Sequence, residues 1–448
     1  MRIKKLFITG ILFLTVSLYC ISQVSSDSIF RYIQMREYST ASELCEILLQ
    51  ENSSKPEIWL YHGMSMQGMQ EYARALGSYI KAVQDESYFQ PAGYRLAECY
   101  EFLGDVRQAL NMYNTLLETD SLNLYTLQQK GRLLMKLNVY SKAEECYKRL
   151  LSGSPDNYLF NKNIGICYYK TSRESLAAKH LVTAWLNNKL DLSLPVSIAN
   201  AYARLKMPDN ALSFLKDGLS IDSTNIPILK TAGSIEFSLG NDEEVVYYLR
   251  KAYNYGDTGV FINKYLGISY FNLSHFEEAI PFLRRYYSYD TLNTEASYYL
   301  GHALSTWHKK EEGIALLQKT IDLSYPEPQF IGSIYAVMAV AKADMNKRED
   351  AIEYYNKALE LDPGRSSYYY EIAKLYDAKG KIEKDSGPYK KAIEYFNLFL
   401  DIEEKKLEII MKERNLDPDQ ISAPGIEYAK KRIKEIREEL FFRGELEK

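Results

Sequence analysis

The chain has 448 residues, of which 46% are apolar and 25% charged, with 39 tyrosines against 3 tryptophans and 5 histidines. That composition excludes disorder over most of the length, and a net charge of −4 argues against global attraction to nucleic acid. The five cysteines show none of the CxxC or Cys/His spacings of a zinc site.

Arg2, Lys4 and Lys5 precede an apolar run from Leu6 to about Ile21, and the polar SQVSSDS follows, an order that predicts a secretory signal over 1–22 with cleavage before Gln23. An uncleaved anchor and lipidation at Cys20 are the alternatives, although Ser17, Leu18 and Tyr19 depart from the usual bacterial lipobox. Removing 1–22 leaves 52 basic against 59 acidic groups. Cys45, Cys99, Cys146 and Cys167 remain; Cys146 and Cys167 fall on neighbouring predicted helices, where they either pair or stay as buried thiols.

From Pro56 a pattern of 34 residues repeats without insertion, in copies beginning at 56, 90, 124, 158, 192, 226, 260 and 294. The eighth position holds Gly63, Ala97, Gly131, Gly165, Ala199, Gly233, Gly267 and Gly301. The twentieth holds Ala75, Ala109, Ala143, Ala177, Ala211, Val245, Ala279 and Gly313, and the twenty-fourth always carries a large residue, from Tyr79, Tyr113 and Tyr147 to Leu317. Small residues let two helices cross closely while a large one fills the adjacent gap, so each copy predicts a helix pair.

An earlier copy, from residue 22, has Ala41 at the twentieth position but bulky Ile29 at the eighth, and is expected to cap the array. Beyond Gly313 the spacing stretches to 38 residues at Ala351 and 41 at Ala392, and the excess is expected near SYPEPQF and in a polar loop at KGKIEKDSGPYK. Eleven helix pairs result. After residue 400 helix continues to about Asn415, LDPDQISAPG interrupts it, and Ile426, Ala429, Ile433, Ile436 and Leu440 form one apolar stripe on a last helix. That stripe either seals the final repeat or serves self-association.

With Trp59, Gly63, Ala75, Tyr79 and Ala82 in one copy, aromatic Tyr100, Tyr168, Tyr202 and Tyr270 at the eleventh position of others, and Pro155 and Pro363 near the repeat ends, the pattern resembles the tetratricopeptide repeat family. The resemblance implies an all-α, right-handed superhelical solenoid over 23–400, with a helical extension or cap over 401–448. It says little about function, because the family is defined by packing.

Chemistry is sparse. His62, His180, His275, His302 and His308 are scattered over separate copies apart from the last two, whose spacing of six does not place them on one helical face. No phosphate-binding, dinucleotide, zinc-protease or EF-hand motif occurs, so no catalytic residue, metal ligand or cofactor is expected. Paired acids such as Glu243 and Glu244, or Glu403 and Glu404, read as solvated faces rather than glycosidase carboxylates.

The resemblance also implies that the concave face is lined by positions 2, 5, 6, 9, 12 and 13 of each first helix. These positions carry Arg95, Arg132, Lys136, Lys162, Lys170, Arg204, Lys230 and Lys264 against Glu98 and Glu101, a locally basic groove. They also carry Tyr94, Tyr125, Tyr169, Phe237, Phe261, Tyr265, Phe271, Tyr298 and Tyr299, which either grip a partner or fill gaps between repeats. The family's dicarboxylate clamp is not matched, since Ile166 follows Lys162 at position 9 and Asn163 and Asn200 do not complete it.

The function expected is a non-enzymatic adaptor of a bacterial envelope, periplasmic or attached at the outer membrane, that binds a protein or peptide segment or assembles a complex. A glycan- or peptidoglycan-handling protein and an oligomer formed through the last helix are the alternatives.

Overall fold

The computed structural model describes residues 25–51, 55–324, 327–414, 423–443 and 445; the predicted signal segment and Cys20 lie outside them. Every regular element among the described residues is a helix. There are 23: α1 (Ser26–Gln34), α2 (Tyr38–Glu51), α3 (Pro56–Gly68), α4 (Tyr72–Ala82), α5 (Phe89–Phe102), α6 (Val106–Thr119), α7 (Leu124–Lys136), α8 (Tyr140–Gly153), α9 (Tyr158–Lys170), α10 (Glu174–Asn187), α11 (Ser193–Arg204) and α12 (Pro208–Ile221). The series continues with α13 (Ile226–Leu239), α14 (Asp242–Asn254), α15 (Val260–Asn272), α16 (Phe276–Tyr289), α17 (Thr294–Thr306), α18 (Lys310–Leu323), α19 (Pro328–Asp344), α20 (Arg348–Leu361), α21 (Ser366–Glu383), α22 (Ser386–Arg414) and α23 (Pro424–Phe442). Each odd-numbered helix up to α21 packs with the next, α11 on α12 through the stacked rings of Tyr202 and Phe214, giving eleven pairs and a terminal helix. The chain divides into two compact units, 1–218 and 219–448.

The close crossing predicted from the sequence is visible atom by atom. A Cβ added at Gly63 would sit 2.5 Å from the Tyr79 ring, one at Gly165 would sit 2.7 Å from Leu181, and one at Gly233 would sit 2.5 Å from Leu249. In every case the large residue at position 24 occupies the space that the missing side chain at position 8 leaves. Ala75, Ala109, Ala143, Ala177, Ala211 and Ala279, at position 20, have no exposed surface.

Two turn devices repeat with the same period. Between the helices of a pair, Arg36, Gln70, Gly104, Asn138, Ser172, Lys206, Gly240 and Ser274 adopt positive φ of 55° to 82°. The residue after each donates its amide to the carbonyl five residues back, as in Glu71 to Met66 and Asp105 to Tyr100, both 2.8 Å. This Schellman geometry ends the first helix and turns the chain into the second. Between pairs, Asn123, Asn157, Asn225 and Asn293 cap the next first helix, each side chain accepting the amide three residues on at 2.9–3.2 Å.

The longer spacings near the C-terminus are helical. Four residues join α18 to α19, the same number that join α16 to α17, so the first excess is an additional turn of α19, which has 17 residues. The segment expected to be a polar loop is mostly helix as well: α21 runs to Glu383, and α22 begins at Ser386 after the left-handed Lys384. Polar residues on a solvent face do not stop a helix, and Gly380 lets α21 lie against the Tyr389 ring of α22.

The stripe on α23 is consumed inside the chain. Ile426, Ala429, Ile433, Ile436 and Leu440 are buried with Tyr389, Phe396 and Phe399 of α22. A two-pronged ion pair adds direction: Arg432 donates from Nε to Asp377 Oδ2 at 3.0 Å and from Nη2 to Oδ1 at 2.8 Å, on side chains only 12% and 5% exposed. Tyr389 donates to Glu439 at 2.9 Å. The stripe seals the last pair, while Phe441 and Phe442 at the end of the helix stay exposed.

Candidate functional site: the inner faces of the first helices

Within each unit, first helices of successive pairs touch one another: α3 meets α5 and α9 meets α11 in residues 1–218, while α13 meets α15, α15 meets α17 and α17 meets α19 in residues 219–448. This proximity puts the first helices on the inner side of each stack, and positions 2, 5, 6, 9, 12 and 13 are where their free faces lie.

In the first unit, Arg132 Nη2 lies 2.8 Å from Glu101 Oε2, and Tyr113 donates to the other oxygen of that carboxylate at 2.7 Å. Glu98 accepts from the Tyr125 hydroxyl and from Gln67 Nε2 at 3.3 Å. Tyr94 packs on Tyr125 edge to face at 5.1 Å. With Phe102 and Lys136, residues Glu98, Glu101 and Arg132 line a cleft of about 140 Å³. Lys162 reaches Asp191 at 2.6 Å and Ser193 at 2.8 Å. Burial works against ionisation of Asp191, but the Lys162 ammonium and the Ser193 hydroxyl outweigh it, so the carboxyl titrates below its usual range. Arg204 stacks over Tyr169 at 4.0 Å with Glu174 at 3.6 Å.

In the second unit Lys230 pairs with Asp257 at 2.8 Å and Lys264 with Glu295 at 2.6 Å. Lys230 holds the Asp257 carboxyl below its usual range. These contacts correct the expectation of a basic groove: five of its eight cations, Arg132, Lys162, Arg204, Lys230 and Lys264, are already paired within the chain. Arg95 is half-buried against the Tyr79 hydroxyl, leaving Lys136 and Lys170 as exposed cations without an acidic partner among the described residues. Several partners escaped the sequence reading because they stand outside the counted positions, Asp191 and Asp257 in turns and Glu174 on a second helix.

What the second unit does present is two clusters of rings on successive first helices. Tyr265 contacts Phe237 and Phe261 at 4.7 and 4.6 Å. Phe271 meets Tyr299 at 5.1 Å and His302 at 4.9 Å, and Tyr298 bridges Tyr299, His302 and Phe330 at 5.4, 5.7 and 5.4 Å. The edges pack on one another, yet Phe237, Phe261, Tyr265, Phe271, Tyr298 and Tyr299 are each half-buried rather than enclosed, and Phe330 is 39% exposed. Both readings of the aromatics therefore hold at once: each ring supports its neighbour and keeps part of its surface free. Burial lowers the His302 pKa to about 4, so its imidazole is neutral at pH 7.

The structure brings together one constellation that the sequence did not suggest. His62 Nδ1 lies 2.7 Å from Ser78 Oγ, and its Nε2 is 3.6 Å from Glu46. The order is that of a nucleophile, a base and an acid, but Ser78 and His62 are only 3% and 8% exposed, so no substrate reaches them. The contact ties α2, α3 and α4 together instead. Burial lowers the pKa of His62. Among the described residues no group of three His, Cys, Asp or Glu side chains could hold a metal ion. Cys45, Cys99, Cys146 and Cys167 are free and buried, and burial pushes the thiols of Cys45, Cys99 and Cys167 up to about 12, which makes them poor nucleophiles.

Models of the tetratricopeptide repeat match residues 92–121, 129–187 and 332–365. Solved structures with a similar fold include the C-terminal part of a TPR repeat-containing protein from Cytophaga hutchinsonii, 16% identical over 54% of this chain and 97% of that one, with a TM-score of 0.42. A tetratricopeptide repeat protein from Parabacteroides merdae is 16% identical over 56% of this chain and 98% of its own, with a TM-score of 0.38. YrrB, described as a TPR protein with an unusual peptide-binding site, is 22% identical over 43% and 98%, with a TM-score of 0.39. A search of curated proteins returns no match. Its own 34-residue register and these three model matches identify the repeats of the chain as tetratricopeptide repeats.

Proposed function

We propose that the chain is a non-enzymatic scaffold that docks a segment of a partner protein on the inner faces of its first helices and works at the bacterial cell envelope. Tetratricopeptide repeat proteins act generally as protein-interaction scaffolds. The observation that carries the docking reading is the set of half-exposed rings on successive first helices of the second unit, Phe237, Tyr265, Phe271 and Tyr299 among them. Aromatic rings supply contact area at small entropic cost and dominate interface energetics. Export rests on the basic start, the apolar run and the polar flank within residues 1–22.

Two measurements test the proposal. Capture from native envelopes with the full chain retains a defined partner, and the triple variant Phe237→Ala, Phe271→Ala, Tyr299→Ala loses it while keeping its helical circular dichroism; equal retention by a folded triple variant contradicts inner-face docking. Mass measurement of the protein from fractionated cells places the mature start at Gln23, and an intact Met1 terminus in the soluble cytoplasmic fraction contradicts export.

A further inference from the structure

We infer that the inner face of α13, α15, α17 and α19 takes an uncharged, proline-rich segment of its partner in the extended polyproline II conformation. The inference rests on inner-face docking and names the chemistry of the occupant.

Three observations lead there. The first is charge. The two cations at position 5, Lys230 and Lys264, are neutralised by Asp257 and Glu295, and the His302 imidazole beside Phe271 and Tyr298 is neutral. An acidic ligand residue laid over these rings would lose hydration and find no unpaired cation among the described residues. A basic one meets rings that resident cations already face, Lys230 over Phe261 at 5.1 Å and Lys264 over Tyr265 at 5.6 Å.

The second is spacing. The rings are carried by successive first helices: Phe237 on α13; Phe261, Tyr265 and Phe271 on α15; Tyr298 and Tyr299 on α17; and Phe330 on α19. Packed helices lie about 8–10 Å apart. A polyproline II chain has three residues per turn and rises about 3.1 Å per residue, so it advances roughly 9 Å per turn. Every third residue of such a segment meets the next first helix, and about ten residues span the four helices. An α-helical ligand crossing the stack advances about 5.4 Å per turn and falls out of step.

The third is hydrogen bonding. The hydroxyls of Tyr265, Tyr298 and Tyr299 donate to no protein group among the described residues, and none is a buried orphan. A polyproline II segment has no internal hydrogen bonds, so its carbonyls need donors from outside. Tyrosine supplies both the ring that covers a pyrrolidine and the donor that satisfies the neighbouring carbonyl.

The test is a titration of the full chain with a dye-labelled neutral twelve-residue peptide carrying proline at every third position. Its comparators are a shuffled isomer of the same composition, an acidic version with Asp in place of the other residues, and a neutral β-linked oligosaccharide. The patterned peptide binds at least about tenfold tighter than the shuffled isomer, with affinity that barely changes as salt rises. The double variant Tyr298→Phe, Tyr299→Phe keeps the rings and the melting temperature but weakens binding by about threefold or more, because only donors are lost. Equal binding of the shuffled isomer overturns the spacing argument, and binding of the acidic peptide or the oligosaccharide alone overturns the neutral proline-rich occupant. If no probe binds while the folded Phe237, Phe271 and Tyr299 triple variant still loses its partner in envelope capture, this occupant is wrong and inner-face docking stands.

Discussion

At the level of single residues, the fold depends on pairs such as Gly165 with Leu181 and Gly267 with Leu283, in which absent volume on one helix matches present volume on the other. The register of these pairs was readable in the sequence because packing constrains side-chain size directly. Gly313 is the least forgiving site, since an added Cβ would run into the Ser305 backbone nitrogen and come 2.6 Å from the Gly301 carbonyl oxygen. Gly313→Ala should therefore cost about 1–3 kcal/mol by overpacking, whereas Gly77→Ala, in open space on α4, should gain up to about 1 kcal/mol from helix propensity. Thermal unfolding of the two variants checks the contrast; equal shifts would show that space at the crossing is not what matters. Protonation at His302 makes a second prediction. The unfolded imidazole takes a proton near 6.5 and the folded one only near 4, so the unfolded state binds the extra proton between those values and stability present above pH 6.5 is lost as pH falls toward 4. His302→Phe should flatten that part of the pH–stability profile. The depressed carboxyls of Asp191 and Asp257 act lower, contributing above the ordinary aspartate range of about 3.9 and losing that contribution as pH falls through their lowered values.

At the level of elements, turns and caps recur as strictly as the core does. Six of the eight left-handed turn residues in register are not glycine, and the left-handed conformation costs an ordinary side chain about 1–2 kcal/mol. Lys206→Gly should then stabilise the chain by up to about 1 kcal/mol, the gain being reduced by the greater freedom of glycine when unfolded. Asn225→Ala, which removes the acceptor for the Ile228 amide, should destabilise it by about 1 kcal/mol. Denaturant midpoints of both variants give the signs directly. The caps are legible as DSLN, DSTN and DTLN at 120–123, 222–225 and 290–293, each ending in the capping Asn. The lengthening of α19 and α21 was not legible. SYPEPQF and KGKIEKDSGPYK carry proline, glycine and charge, which read as breakers, yet Pro328 and Pro388 sit in the first turns of helices and the charges of the second segment face water.

At the level of the whole molecule, the end of the second unit is closed by α23, and the Arg432–Asp377 pair sets how that helix seats. Arg432→Met keeps the apolar stem but leaves Asp377 buried with Lys381 alone, and should cost about 3 kcal/mol, much of it recovered when Asp377→Leu is added. The helix pairs, their number and the sealing stripe were foreseeable from periodicity, because stacking is compulsory for short helices that cannot cover their own apolar faces. The electrostatics of the inner face were not. Counting charges at chosen positions missed the turn and second-helix acids that neutralise them, and only coordinates join residues about thirty apart, such as Lys162 and Asp191. Site-specific photo-crosslinking in living cells tests the central functional claim most directly. A crosslinker in place of Tyr299, on the inner face of α17, should trap a discrete protein partner, while one in place of Tyr247, exposed on α14, should not. Trapping from position 247 with none from 299 would contradict the account.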